Sequence, residues 1–301
     1  MKEKTLFRTL VPTIAMLLIA VLALSGVTYA WFSSSKTAQV DSFELNVQAA
    51  DGLLISADNA SWKSTMTLDE IKTAQNDVNA LFTAQGGLIL SPVSASSGTS
   101  NVSSGKVTFY KAEADGKKLS GVTAAAGGYL YFDLYFQNAG SAAKTVKLTG
   151  SDITNGADTA LSSALASRIG IVQGGSASIG AAISGYSGTS LTILEPNATQ
   201  HTQAGINDYK TYSVNAASDA KFDTLALCKA PEGGVIADRW NASDVAVAMA
   251  TSTAAADTTF TIPANQTTKV TFYVWVEGQD ADCLNDVAGK AMSVDLKFSA
   301  E

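Results

Sequence analysis

The sequence predicts an all-β protein, an antiparallel β-sandwich with short helices in inserted loops, behind an N-terminal signal segment. Three observations carry this reading. Several segments alternate apolar and polar residues with a period of two. The chain is rich in Ser and Thr, holds 24 Gly, and has only 16% charged residues among 301. Its first thirty residues have the layout of an export signal.

The alternation is clearest in four places. Phe43, Leu45 and Val47 alternate with Ser42, Glu44 and Asn46. Leu130, Phe132, Leu134 and Phe136 alternate with Tyr129, Tyr131, Asp133, Tyr135 and Gln137. Val270, Phe272, Val274 and Val276 alternate with Thr271, Tyr273, Trp275 and Glu277. Val294, Leu296 and Phe298 alternate with Ser293, Asp295 and Lys297. Side chains of a strand point to opposite faces in turn, so this pattern predicts strands with one buried and one wet face. Antiparallel sheets give such patterns, and two packed face to face make a sandwich. Tyr129, Tyr131, Tyr135, Tyr273 and Trp275 would then form an aromatic outer face. Left uncovered by loops, it could serve fibre packing or stack against glycans.

Helical signals are few. Thr67-Leu68-Asp69-Glu70 reads as a capping box, after which Leu68, Ile71, Val78, Leu81 and Phe82 recur at helical spacing until Gly86-Gly87. A second short helix is predicted over Asp158 to Ser167. Ser- and Gly-rich stretches at Ser94–Gly105, Gly174–Gly188 and Ala248–Thr258 have loop composition. The strongest strands come from both ends of the chain. The organisation expected is therefore a signal peptide at 1–30 and a single sandwich domain at 31–301, with insertions at about 51–127 and 151–258.

The signal itself is explicit. Lys2, Lys4 and Arg8 precede an apolar run from Leu10 to Leu24, and Ser25-Gly26-Val27-Thr28-Tyr29-Ala30 follows. A basic start, an apolar middle and a small residue before the cut describe a secretory leader cleaved between Ala30 and Trp31. The alternative is an uncleaved anchor, since Leu10 to Phe32 could just span a bilayer core of roughly 30 Å. The membrane is a partner only in that case.

Charge and residue counts exclude other classes. A net charge of −7 and a pI of about 4.8 oppose nucleic-acid binding, which needs clustered Lys and Arg to replace phosphate counterions. Removing the basic leader makes the exported chain more acidic still. The single His, His201, cannot build a multi-His metal site and leaves little room for His-dependent catalysis. There is no H-E-x-x-H. No catalytic residue is assigned, and the chain reads as a non-enzyme without an organic cofactor.

The motifs resemble those of one family. Thr28-Tyr29-Ala30-Trp31-Phe32-Ser33 is followed by Val40-Asp41-Ser42-Phe43-Glu44-Leu45-Asn46-Val47. Then come Tyr131-Phe132-Asp133-Leu134-Tyr135-Phe136-Gln137-Asn138-Ala139-Gly140 and, at the end, Ser293-Val294-Asp295-Leu296-Lys297-Phe298-Ser299-Ala300. Their order and spacing resemble the TasA/camelysin family of secreted Gram-positive proteins, and Tyr273 to Cys283 looks like its clostridial members. The match covers the leader, the first strand, the 128–150 hairpin and the last two strands. Residues 51–127 and 151–258 carry little of it.

The resemblance implies a jelly-roll-like sandwich, a leader cut by a SipW-type signal peptidase, and a structural subunit of an extracellular or biofilm-matrix fibre. It also implies that the segment after the cut inserts as a strand into the next subunit. The positions that match are Trp31, Phe32, Ser33, Ser34, Ser35, Lys36, Thr37, Ala38, Gln39 and Val40. The physics is β-augmentation, with main-chain hydrogen bonds for affinity and side-chain pockets for register. The segment folding back on its own sheet edge is the competing reading. The partners expected are further copies of the chain, the peptidase, and other matrix components, at the cell surface or in the matrix. The alternative function is a monomeric or anchored adhesin whose long loops bind a host or matrix ligand.

Two further groups stand out. Cys228 and Cys283 are the only cysteines of a chain read as exported, so a disulfide is expected, with free thiols as the alternative. It would close a loop of about 55 residues, worth roughly 4 kcal/mol in the chain-entropy model. Glu277, Asp280, Asp282 and Asp286, with Asn285, crowd one segment and read either as a calcium site or as a solvated acidic turn.

Overall fold

The computed structural model describes Met16 and residues 43–50, 52–84, 86–93, 95, 102–112, 119–124, 127–148, 152–154, 167–183, 185–196, 213–215, 220–221, 246–251, 260–276 and 292–301. These residues are predominantly strand. In chain order they form β1 Phe43–Ala49, β2 Leu54–Ser56, β3 Thr65–Thr67, α1 Leu68–Ala74, α2 Asn76–Thr83, β4 Val102–Ser103, β5 Lys106–Val107, β6 Phe109–Ala112 and β7 Leu119–Val122. The series continues with β8 Leu130–Asn138, β9 Lys144–Lys147, β10 Asp152–Thr154, β11 Ser167–Ser178, β12 Thr192–Pro196, β13 Ser213–Asn215, β14 Ala220–Lys221, β15 Ala246–Thr251, β16 Phe260–Ile262, β17 Gln266–Val276 and β18 Met292–Ala300.

Among the described residues one hydrogen-bonded path runs β16–β9–β18–β10–β15–β12–β11–β17–β8–β2, with β1 on β18 and β3 on β1. The pairings are antiparallel except that β1 and β18 run parallel, Phe43 opposite Met292 through Ala49 opposite Phe298. Four of these strands, β10, β11, β12 and β15, come from the 151–258 stretch, and β11 lies between β12 and β17 within the sheet.

The predicted alternation is borne out in β8 and β18. Leu130, Phe132, Leu134 and Phe136 are buried and the intervening side chains half-buried; Met292, Val294, Leu296 and Phe298 repeat the pattern. In β1, Leu45 and Val47 are buried between exposed Glu44, Asn46 and Gln48. These apolar faces meet in one core. The Phe298 ring packs edge-on against Phe136 at 4.9 Å and Phe272 at 5.5 Å between centroids. Each such ring removed from water contributes about 1.5–3 kcal/mol. Asn138 ends β8: its amide donates to the Ala142 carbonyl at 2.8 Å and accepts from the Gly140 N–H at 2.9 Å, holding the turn toward β9.

β17 departs from expectation. The alternation predicts a wet face, but every residue from Thr267 to Val276 is buried. Tyr273 and Trp275 are covered by a second apolar cluster of Val93, Ala95, Val107, Phe109, Leu191 and Ile193. The outward residues of β17 are themselves aromatic, and burying them against these segments is more favourable than hydrating them. The outer aromatic face is therefore largely covered, with Tyr129, Tyr131 and Tyr135 half-buried.

The capping box at Thr67 is present, and the Glu70 carboxylate accepts from the Thr67 N–H at 2.8 Å. The single helical run read onward from it is two helices. Gln75, at φ −125° and ψ 99°, breaks it between α1 and α2. Of the second helix read at Asp158 to Ser167, residues 158–166 lie outside the described residues and Ser167 begins β11. Among the described residues no helix is long and apolar enough to cross a membrane.

Candidate functional site: a tyrosine-walled cleft

The cleft is built on the outer face of β8 and β17. Their register sets Tyr131 opposite Tyr273, Asp133 opposite Thr271 and Tyr135 opposite Lys269. Alternation puts these side chains on one face, the face turned away from the phenylalanine core. The wall above them comes from three other segments.

The first is α2. Asp77, Ala80, Leu81 and Ala84, spaced as one helical face, line the cleft, followed by Leu88 and Ile89. The second is the β4–β5 hairpin. Its two turn residues, Ser104 at φ 50° and Gly105 at φ 72°, have the positive values a tight two-residue hairpin requires. Gly105 is also required by proximity, because a Cβ there would lie 2.5 Å from the Tyr186 Cβ. The third is the segment carrying Tyr186. It passes close over β11 at Gly188, where a Cβ would fall 2.1 Å from a Val172 methyl.

The cleft so enclosed has a volume of about 490 Å³, and Tyr129, Tyr131, Tyr186 and Tyr273 all line it. The Phe109 ring, behind the wall, stacks on Tyr129 at 4.1 Å and meets Trp275 edge-on at 5.1 Å. The tyrosine hydroxyls are tied to protein groups. Tyr131 donates to Asp77 Oδ2 at 2.8 Å. Tyr273 accepts from the Val107 N–H at 3.4 Å, and Tyr186 donates to Asp133 Oδ2 at 3.5 Å. Burial pushes Tyr131, Tyr186 and Tyr273 well above the usual phenol range, with the Asp77 carboxylate adding to the effect at Tyr131.

Below the cleft lies a nearly buried ion pair. Lys269 Nζ is 2.8 Å from Asp133 Oδ2, with side chains 8% and 14% exposed. Asp133 Oδ1 accepts from the Thr271 hydroxyl at 2.6 Å. The Tyr186 ring takes two ammonium groups, Lys269 at 4.1 Å and Lys106 at 5.0 Å from its centroid. Such contacts are worth about 0.5–2 kcal/mol according to their exposure. The arrangement offers ring faces, aliphatic walls and charges at fixed positions, which is the chemistry of recognition. Among the described residues no three His, Cys, Asp or Glu side chains gather into a metal-holding group.

Of the residues singled out from sequence, Tyr129, Tyr131 and Tyr273 of the aromatic face line the cleft. Ala30 and Trp31 at the cleavage point, the Trp31–Val40 segment, Cys228 and Cys283, His201, and Glu277, Asp280, Asp282 and Asp286 all fall outside the described residues. The residues that sequence reasoning missed are Asp77, Lys106 and Tyr186. Ser104-Gly105 between Val102 and Val107 is a hairpin signal that would have placed Lys106. Tyr186 was the one aromatic in an otherwise Gly- and Ser-rich stretch. In comparisons with known proteins, no family model, no curated protein and no solved structure matches this chain.

Proposed function

We propose that this chain is an exported structural subunit of an extracellular or biofilm-matrix fibre, built on a jelly-roll-like sandwich and polymerised by donation of the segment Trp31–Val40 to the next subunit. The observation that carries the reading is the anchoring of β1. That strand begins three residues after Val40 and is held by a seven-residue parallel ladder to β18. Its other edge is paired by β3 only at Asn46 to Gln48. A donated segment needs such a root, fixed in its own subunit while the residues ahead of it pair elsewhere. A head-to-tail contact that does not close on itself makes a filament. The edge-on packing of the Phe298 ring of β18 against Phe136 of β8 and Phe272 of β17 supports the sandwich. The leader residues support export and cleavage after Ala30 by a SipW-type peptidase, and export supports a Cys228–Cys283 disulfide. Electron microscopy of the chain beginning at Trp31 is expected to show fibres, and deletion of Trp31–Val40 to leave folded monomers. Fibres of normal length from the deletion variant would sink the reading.

The cleft favours a second reading, a surface adhesin that holds a ligand against its β-core. Concentration-dependent polymerisation separates the two: the fibre reading requires it and the adhesin reading does not.

A further inference from the structure

We infer that the tyrosine-walled cleft is a binding site for a small amphiphile, an aryl or short alkyl carboxylate whose apolar body fills the cleft and whose anionic group meets Lys106. This holds whether or not the chain polymerises.

The walls select the body of the ligand. Ala80 and Leu81 of α2, its C-cap Ala84, Leu88, Ile89 and Val107 present carbon, and the tyrosines add ring faces. A volume of about 490 Å³ has room for one or two rings and falls in the range of small-molecule sites. A sugar needs many hydrogen bonds from its site. Here the hydroxyls of Tyr131, Tyr186 and Tyr273 are already committed to Asp77, Asp133 and Val107. Recruiting the Tyr273 hydroxyl would leave the buried Val107 N–H unpaired, and recruiting Tyr131 or Tyr186 would break a bond to a carboxylate, at a cost comparable to the bonds gained.

The charges select the head group. Asp77 is already served, accepting from the Val78 N–H at 3.0 Å and from the Tyr131 hydroxyl. Lys269 is neutralised by Asp133 at 2.8 Å. Lys106 differs from both. Its ammonium sits over the Tyr186 ring at the lining of the cleft, and among the described residues it forms no ion pair with a carboxylate. A largely apolar chamber whose wall carries the Lys106 ammonium, with no carboxylate partner among the described residues, and the Asp77 carboxylate, its two oxygens each already accepting a hydrogen bond, complements an apolar body whose one anion docks at Lys106.

Isothermal titration calorimetry on the full chain tests this with 4-phenylbutyrate, its neutral analogue 4-phenylbutanol and the neutral sugar chitotriose. The acid is expected to bind saturably at one site, about tenfold more tightly than the alcohol, as a single charge-assisted contact implies. Lys106→Gln should bring the acid down to the affinity of the alcohol and leave the alcohol unchanged. Ala80→Trp and Ala84→Trp, at exposed positions facing the cleft, should each abolish binding of both while far-ultraviolet circular dichroism and the urea midpoint stay native. No saturable binding of the acid overturns the inference. So does equal affinity for acid and alcohol, unchanged binding in a folded tryptophan variant, or chitotriose displacing the acid from the cleft.

Discussion

The side chain of Gln75 completes the β-sheet at Asp133. Its amide oxygen accepts from the Asp133 N–H at 2.9 Å, and its amide nitrogen donates to the Asp133 carbonyl at 2.7 Å. These are the two bonds that a neighbouring strand would supply. β2 pairs with β8 only at Tyr135 to Gln137, so the amide extends the ladder one step further. Its nitrogen also donates to the Ala57 carbonyl at 3.0 Å. The break between α1 and α2 is the conformation that delivers it.

Gln75→Ala is therefore expected to cost about 1–3 kcal/mol, the penalty for leaving part-buried backbone groups unpaired. Gln75→Glu should cost at least as much, because a carboxylate can accept from the Asp133 N–H but repels the two carbonyls. Urea denaturation of the two variants is the check. A glutamate variant as stable as the parent would show that the amide bonds contribute nothing.

Asp133→Ala leaves the Lys269 ammonium nearly buried without its carboxylate. The expected loss is about 3–5 kcal/mol, characteristic of an orphaned buried charge. Replacing both partners, Asp133→Leu with Lys269→Met, should recover most of it, since the desolvation cost vanishes with the charges. Equal losses in the single and double variants would mean that packing, not charge, dominates at this position.

Stability should fall at both pH extremes. The Asp58 carboxylate is held far below its usual range, first by the Ser61 N–H and further by Ser56, Ala60 and the Ser61 hydroxyl. Glu70 is lowered chiefly by its bond to Lys63, then by the Thr67 N–H. A depressed folded pKa gives stability that is complete above the unfolded carboxylate range and lost as pH falls below about 4. At the other end Tyr131, Tyr186 and Tyr273 are raised by burial. A raised folded pKa gives stability that is complete below the ordinary phenol value of about 10 and lost as pH rises beyond it. Chemical denaturation across pH should show both limbs, with Asp58→Asn flattening the acid one. A parent curve flat from neutral to pH 2 would contradict the carboxylate account.

Gly105→Ala should destabilise the β4–β5 hairpin. The added methyl meets a positive φ and the Tyr186 Cβ at once. A loss above about 1 kcal/mol is expected, together with weaker 4-phenylbutyrate binding, because Lys106 follows directly. Gly86→Ala offers a control, with positive φ but no atom within 4 Å of the new methyl. If the two variants lose equal stability, the Tyr186 contact carries no weight.

Period two made β1, β8 and β18 legible, because each fully buries one face and leaves the other at least partly open. It misled on the outer face of β17, because burial there depends on segments distant in sequence. Thr67 and Glu70 announced the start of α1, since a capping box is a local device. The break at Gln75 was hidden, because its cause lies 58 positions away at Asp133. The sequence of β11 alternates only at Ile169 and Ile171 before Gly174-Gly175, and that of β10 has no distinct pattern at all. The cleft was the least legible feature. Asp77, Lys106 and Tyr186 belong to three separate segments whose individual patterns are those of an ordinary helix, hairpin and loop.

What the sequence by itself determined is local and periodic: an all-β chain, its inward-facing residues, its first helix cap, and an expectation of export written in the leader. These follow from backbone geometry and side-chain polarity, which act over a few residues. What only the tertiary structure decided is non-local: the parallel pairing of the first and last strands, the covering of Tyr273 and Trp275, and the meeting of Lys269 with Asp133 under a chamber lined by four tyrosines. Register between distant strands and the folding of one segment over another depend on how whole faces fit together, and no short window of sequence contains that fit.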